Sequence, residues 1–149
     1  MATNVFTIAE RFRQPAVERE THEPPCELVV LGESEAVRRL RSQIRRIAPY
    51  FRIALIRGET GSGKELVARC LHASSPGAEG PFVVALADAL AAAFARDGTS
   101  QTRGLRPAVS LLESAHGGTL FLKDVGDLPF GLQDGLLEFL RVCEKMRGA

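Results

Sequence analysis

Short apolar runs alternate along this chain with longer segments in which apolar residues recur every three or four positions. The short runs have the length and composition of buried strands, and they are 53–57, 82–86 and 119–122. The longer segments are typical of helices, and they are 65–72, 88–96, 108–115 and 130–142. Strands that alternate with helices predict an α/β layered fold with a parallel sheet.

A further helix is predicted after Ser34, which is a plausible N-cap, and before Pro49, which ends it. Its apolar residues fall on one face, and they are Val37, Leu40, Ile44 and Ile47. Arginines fill much of the remaining surface. They suit either a nucleic-acid contact or a solvated face, and we interpret them as a solvated face on a helix that packs against the core.

Residues 1–27 differ from the rest and are interpreted as an N-terminal extension and linker. Val5, Ile8 and Phe12 have helical spacing, and the following segment is charged and rich in proline. A short helix that docks on a partner is one interpretation. We favour a weakly ordered terminus, with one domain over residues 28–145.

Composition limits the function classes. The net charge of +1 argues against a strongly basic nucleic-acid surface, and no run of eighteen apolar residues or signal peptide is present. Cys26, Cys70 and Cys143 are scattered without metal-ligand spacing. We therefore expect free thiols in a reducing cytoplasm, no membrane segment and no metal site formed by the protein itself.

The sequence GETGSGKE stands between a predicted strand and a predicted helix, which is the setting of a phosphate-binding loop. Glycines allow backbone angles that turn successive N–H groups toward one anion. The helix N-terminus adds its positive end, and the lysine adds a charge for the β and γ phosphates. The predicted nucleotide-binding residues are Gly58, Glu59, Thr60, Gly61, Ser62, Gly63, Lys64 and Glu65.

Five stretches resemble, in order and spacing, the AAA+ domain of sigma-54-dependent transcription activators: LVVLGESEAVRRLRSQIRRIAP, IRGETGSGKELVARCLH, GPFVVALADAL, ESAHGGTLFL and GDLPFGLQDGLLEFLR. The resemblance covers residues 28–142. It implies a three-layer αβα P-loop NTPase core with a parallel sheet. It also implies a domain that couples ATP binding and hydrolysis in a hexameric ring to remodelling of the RNA polymerase holoenzyme that contains sigma-54.

The resemblance assigns roles to individual positions. The GETGSGKE loop matches the Walker A motif, in which the position after the lysine is commonly glutamate, as in Glu65. Residues 28–32 resemble a segment that lies close to the adenine. The strand 119–122 matches Walker B, where the family carries an Asp that orders magnesium and a Glu that activates water.

This chain has Lys123 and Asp124 at the Walker B pair. An ammonium cannot ligate a hard cation, so magnesium binding is in doubt and we assign no metal ligand. Asp124 is the candidate catalytic residue, although its side chain is one methylene shorter than glutamate. Lys123 can pair with a phosphate, pair with Asp124 or point to solvent, and we rank the exposed or paired arrangement ahead of the phosphate contact.

Other family features are absent from this sequence. No GAFTGA motif, which contacts sigma-54, occurs in residues 87–111. The sensor, arginine finger, lid and DNA-binding domain would all follow residue 149, so the core is expected to be incomplete at its C-terminal end. The family's fourth strand sits between the Walker A and Walker B strands. Without it, we expect those strands to pair directly, to recruit a partner through exposed edges, or to form a marginally stable sheet.

The sequence therefore predicts an ATP- or ADP-binding P-loop domain of a sigma-54-type transcription regulator with impaired hydrolysis. The predicted partners are sigma-54 RNA polymerase or another AAA+ activator subunit. The alternative is a nucleotide-independent interaction protein that modulates a full-length AAA+ activator. A third interpretation is a gene fragment with little function.

Overall fold

A computed structural model describes residues 5–11, 30–88 and 105–147 of the protein. The strands in these ranges are β1 (Val5–Arg11), β2 (Ile53–Gly58), β3 (Phe82–Leu86) and β4 (Thr119–Lys123). The helices are α1 (Glu35–Ile47), α2 (Lys64–Ala73), α3 (Leu105–Ser114) and α4 (Phe130–Arg147), with a 3-10 turn at Val125–Asp127. The predicted helices and strands at these positions are confirmed to within a few residues. The predicted helix over 88–96 lies, beyond Asp88, outside the described residues.

The four strands form one sheet in the order β2–β1–β4–β3. β3 is parallel to β4, whereas β1 is antiparallel to both β4 and β2. β2, β3 and β4 therefore run in the same direction. This confirms the α/β class with a parallel set of strands, to which β1 adds one strand of opposite direction.

β1 corrects the prediction for the N-terminal segment. Its residues form a strand, which is neither the weakly ordered terminus that we favour from the sequence nor the short helix that their spacing allows. Ile8 stands opposite Leu55 of β2 on one side and Leu122 of β4 on the other. A central strand satisfies its backbone donors and acceptors on both edges, and this outweighs the helical spacing of three apolar residues. The sequence VFTI is also rich in residues that favour strands.

The position of β1 also decides how the two strands that carry the nucleotide motifs are arranged, for which the sequence left three alternatives open. β2 and β4 do not pair directly, because β1 lies between them and pairs with both over residues 8–10. Part of the predicted extension thus belongs to the sheet. The domain limits at residues 28 and 145 stay a prediction, and residues 12–29 lie outside the described part of the chain.

Helices cover both faces of the sheet. Leu120 and Leu122 pack with α3 and α4, in a cluster that contains Leu112, Ala115 and Phe139. Phe121 points to the opposite face, because side chains alternate along a strand. It packs there with α1 and α2, in a cluster that contains Ile44, Ala68 and Leu71. The three-layer arrangement therefore buries β4 on both faces.

The first helix confirms its predicted cap and its solvated face. The Ser34 Oγ accepts a hydrogen bond from the Val37 N–H at 3.3 Å. Ile44 is buried, and four of the five arginines are exposed, namely Arg38, Arg39, Arg45 and Arg46. The fifth, Arg41, is half-buried, and its Nη2 donates to the Gly32 carbonyl oxygen. No helix among the described residues has both the length and the apolar character that a membrane span requires.

Two backbone segments approach closely where β3 and β4 begin. The Thr119 N–H donates to the Pro81 carbonyl oxygen at 2.9 Å. A Cβ atom placed on Gly118 would lie 1.9 Å from that oxygen, and one placed on Gly80 would lie 2.2 Å from the Gly117 oxygen. Glycine at these positions therefore lets the two strands start side by side.

Candidate phosphate-binding site

The predicted loop connects the end of β2 to the start of α2. Gly61 and Gly63 have φ angles of 79° and 86°, a region that favours glycine. The Ser62 N–H donates to the Glu59 oxygen at 3.1 Å, which closes the turn. Gly63 is the N-cap of α2 and provides no side-chain cap. The N–H groups of the first helical turn are therefore available to an anion.

Gly58 leaves room for the Ser62 side chain of the loop. A Cβ atom at this position would lie 2.4 Å from the Ser62 Oγ, and the next nearest atoms lie at 3.4 Å and beyond. A change of the Ser62 rotamer would therefore relieve the overlap. Gly61 and Gly63, by contrast, set the backbone direction of the turn.

Lys64 reaches back across the loop. Its Nζ donates to the carbonyl oxygens of Gly58 at 3.2 Å and of Glu59 at 2.7 Å. The side chain is half-buried. The loop's own carbonyl groups thus hold this ammonium close to the N-terminus of α2.

A cavity of about 430 Å³ lies beside the loop and extends to the end of β4. Its lining residues are Thr60, Gly61, Gly63, Lys64, Glu65, Phe121, Lys123 and Asp124. Five of the eight predicted loop residues line it, and Gly58, Glu59 and Ser62 do not. The sequence reasoning missed Phe121 as a lining residue, although strand alternation already placed its side chain on the α2 face.

Glu65 holds two cations at the edge of this cavity. Its Oε1 accepts from the Arg69 Nη2 at 2.9 Å, and its Oε2 lies 3.4 Å from the Lys123 Nζ. The hydrogen bond from Arg69, together with the smaller effect of Lys123, keeps the pKa of Glu65 below its ordinary value of 4.5, although burial opposes this. Glu65 is therefore an ionised, doubly paired carboxylate at neutral pH.

Lys123 pairs with Glu65 across the cavity and not with Asp124. Its side chain is 42% exposed, so the ammonium also contacts solvent. The sequence left open whether Lys123 pairs with a carboxylate. The structure shows such a pair, but the partner is Glu65, which lies 58 positions earlier in the chain. The ion pair joins the end of β4 to the first turn of α2.

Asp124 follows Lys123 with a φ of 60°, a left-handed conformation that aspartate tolerates better than most residues. It is exposed and precedes the 3-10 turn, where the Asp127 N–H donates to its carbonyl oxygen at 3.2 Å. The structure thus places the candidate catalytic carboxylate at the cavity wall.

The donor set beside the loop does not fit a magnesium ion. Magnesium prefers oxygen ligands, and the carboxylates that line this cavity are those of Glu65 and Asp124. Glu65 already pairs with Arg69 and Lys123.

Comparison with known proteins gives a consistent result. Residues 30–147 match the Sigma-54 interaction domain family. The chain is 39% identical over 139 residues to the response regulator protein PilR of Pseudomonas aeruginosa. This match covers 89% of this chain and 30% of PilR.

Two other relatives show a similar degree of identity. The chain is 40% identical over 114 residues to the nitrogen assimilation regulatory protein NtrX of Azorhizobium caulinodans, covering 74% of this chain and 25% of that protein. It is also 40% identical over 114 residues to the sigma54-dependent transcriptional activator SfnR of Pseudomonas putida. This match covers 72% of this chain and 31% of SfnR. The chain thus spans less than a third of the length of each of these relatives.

Proposed function

The chain belongs to the Sigma-54 interaction domain family of transcriptional regulators, and we propose that it binds the phosphates of ATP or ADP. The loop between β2 and α2 carries this proposal. Gly61 and Gly63 at positive φ, the uncapped N-terminus of α2 and the Lys64 ammonium lie together at one cavity. Each of these groups favours an anion, and their combination is suited to a polyphosphate.

Hydrolysis by this chain is proposed to be impaired. Phosphoryl transfer depends on positioned metal and charge stabilisation, and the carboxylates at this cavity do not fit a metal. Lys123 stands at the end of β4, where the resemblance expects an aspartate. Asp124 is exposed and has a left-handed backbone conformation. We therefore expect binding with negligible turnover.

The biological setting follows from the family. We propose that the chain acts in sigma-54-dependent transcription, with sigma-54 RNA polymerase or another AAA+ activator subunit as partner. SfnR is named as a sigma54-dependent transcriptional activator, and this chain matches part of it. The proposed location is the cytoplasm, where such partners are present.

A titration with a fluorescent ATP analogue tests the binding proposal. The purified chain is compared with Lys64→Ala and with Lys145→Ala, in which an exposed lysine of α4 is removed. Lys64→Ala should weaken binding by at least about tenfold, because it removes a charge-assisted contact with phosphate, whereas Lys145→Ala should bind as the wild type does. Displacement by unlabelled ATP and ADP excludes binding of the fluorophore alone.

Two results would contradict the proposal. Equal binding by wild type and Lys64→Ala, with matching circular dichroism spectra, would mean that the loop is not the site. Phosphate release that exceeds a mock purification and disappears in Lys64→Ala would show that hydrolysis is not impaired.

The alternative is a nucleotide-independent interaction protein that modulates a full-length activator. Exposed apolar side chains on the two outer strands favour it, since Leu55 of β2 is 57% exposed and Leu86 of β3 is 52% exposed. Binding to a full-length family activator that is unchanged by ATP and by Lys64→Ala would support this alternative.

A further inference from the structure

We propose that Lys123 takes the place of a divalent cation at the phosphate site, so that this chain binds nucleotide without magnesium. The inference rests on the proposed nucleotide binding and specifies its chemistry. The carboxylates at the cavity do not fit a metal, yet a polyphosphate brings several negative charges that need a counter-charge.

Two ammonium groups line the same cavity from different elements. Lys64 extends from the first residue of α2, and Lys123 extends from the last residue of β4. A lysine carries three donors on a flexible stem, and it contacts phosphate as a point charge. Lys123 thus supplies at the β4 wall a positive charge that belongs to the chain and needs no carboxylate ligands.

The Glu65 pair holds Lys123 at the cavity in the absence of nucleotide. The separation of 3.4 Å and the exposed fractions of 42% for Lys123 and 38% for Glu65 describe a solvent-accessible ion pair. Such pairs are weak. A phosphate group with more than one negative charge can therefore draw the ammonium away from the carboxylate.

Arg69 allows the Lys123 ammonium to move from Glu65 to a phosphate group. It binds the other oxygen of Glu65 at 2.9 Å, so the carboxylate keeps a cationic partner after Lys123 turns toward phosphate. Without Arg69, an unpaired carboxylate beside the phosphates would oppose anion binding. The three residues thus act together: Arg69 neutralises Glu65, Glu65 positions Lys123, and Lys123 binds the phosphates of the nucleotide.

The same arrangement disfavours a metal. An ammonium at the end of β4 repels a divalent cation, and Glu65 would have to give up two cationic partners to become a ligand. Added magnesium should therefore leave the affinity of the wild-type chain nearly unchanged.

The experiment measures the Kd of the fluorescent ATP analogue in EDTA and in magnesium chloride. The Kd of the wild type should differ by less than about threefold between the two conditions. Lys123→Ala should raise the Kd in EDTA by about tenfold, which is the scale of one charge-assisted contact. Lys123→Arg should keep most of the EDTA affinity. Lys123→Asp should bind poorly in EDTA and regain affinity with magnesium. Lys145→Ala is the matched control and should follow the wild type.

The outcomes separate this inference from the proposed function. If Lys64→Ala loses binding but Lys123→Ala binds as tightly as wild type in EDTA, nucleotide binding stands and the role of Lys123 is refuted. Wild-type binding that requires magnesium refutes it equally. If wild type binds in neither condition, the proposed nucleotide binding itself is wrong. Should Lys123→Asp fail to fold by circular dichroism, Lys123→Ala and Lys123→Arg decide the question.

Discussion

The His72 Nδ1 and the Thr119 Oγ1 lie 3.0 Å apart, and both residues are buried. His72 stands near the end of α2, and Thr119 is the first residue of β4. The His72 ring also packs against Phe82 of β3, with ring centres 5.5 Å apart. This contact fixes one end of α2 to the sheet, while the Glu65–Lys123 ion pair joins the other ends of the same two elements.

Replacing Thr119 with valine should destabilise the fold. Thr119→Val keeps the shape of the side chain but removes the hydroxyl that meets His72, and the expected loss is about 1–2 kcal/mol of unfolding free energy. Urea unfolding followed by circular dichroism measures it. The control is Ser114→Ala, which removes an exposed hydroxyl on α3 and should change stability by less than about 0.5 kcal/mol. Equal effects of the two substitutions would mean that the buried contact adds nothing.

A proline in β1 should disrupt the centre of the sheet. Ile8 pairs with β2 on one side and β4 on the other, and proline lacks the N–H that a central strand needs. Ile8→Pro should lower the unfolding free energy by at least about 1–3 kcal/mol, the penalty for one broken buried backbone bond. Ile8→Val keeps the N–H and is the matched control. A Tm for Ile8→Pro equal to that of Ile8→Val would exclude β1 from the sheet in solution.

Two glycine-to-alanine substitutions should have opposite effects. Gly118→Ala would place a Cβ 1.9 Å from the Pro81 oxygen, whereas a Cβ on Gly131 has no heavy atom within 4 Å. Overpacking should cost Gly118→Ala about 1–3 kcal/mol or more. Gly131→Ala, in α4, should stabilise by about 0.5–1 kcal/mol because alanine favours the helix. Thermal unfolding of both variants checks the signs, and a stabilised Gly118→Ala would disprove the close approach of the two loops.

The ion pairs of Glu65 predict a pH dependence of stability. Arg69 and, to a smaller extent, Lys123 lower the pKa of Glu65 in the folded chain. Its contribution is therefore complete above the unfolded value of 4.5, and it is lost as the pH falls below that value toward the folded-state pKa.

The comparison of wild type with Glu65→Gln measures this contribution. At pH 7 the wild type should be more stable by less than about 1 kcal/mol, because the pairs are solvent-exposed. The difference should shrink below pH 4.5 and in high salt, which screens exposed charges. A difference that grows on acidification would reverse the sign and contradict the pairing.

Local patterns were enough to predict most of the site. Apolar periodicity located β2, β3 and β4, and the glycine spacing predicted the loop that the structure forms between β2 and α2. The partner of Lys123 was beyond such reasoning, because Glu65 lies 58 positions away and meets it only after β4 and α2 are placed side by side. Phe121 also lines the cavity, and strand alternation already indicates that its side chain lies on the α2 face.

The N-terminal strand was harder to predict, since its seven residues contain apolar positions that suit either a helix or a strand. The choice depends on tertiary context. β2 and β4 offer backbone groups on both sides of a gap, and an extended segment satisfies them. A prediction from residues 5–11 alone lacks that information. The resemblance did indicate that the strand which the family has between the Walker A and Walker B strands is missing here.

The place of β1 in the sheet also sets the order in which the protein can fold. Its residues are synthesised well before Leu122, with which Ile8 pairs. The middle of the sheet must therefore stay open until β4 has been synthesised. Contacts between such distant parts of a chain slow folding, so the sheet should be completed only after β4 has been made, and not strand by strand as each one is synthesised.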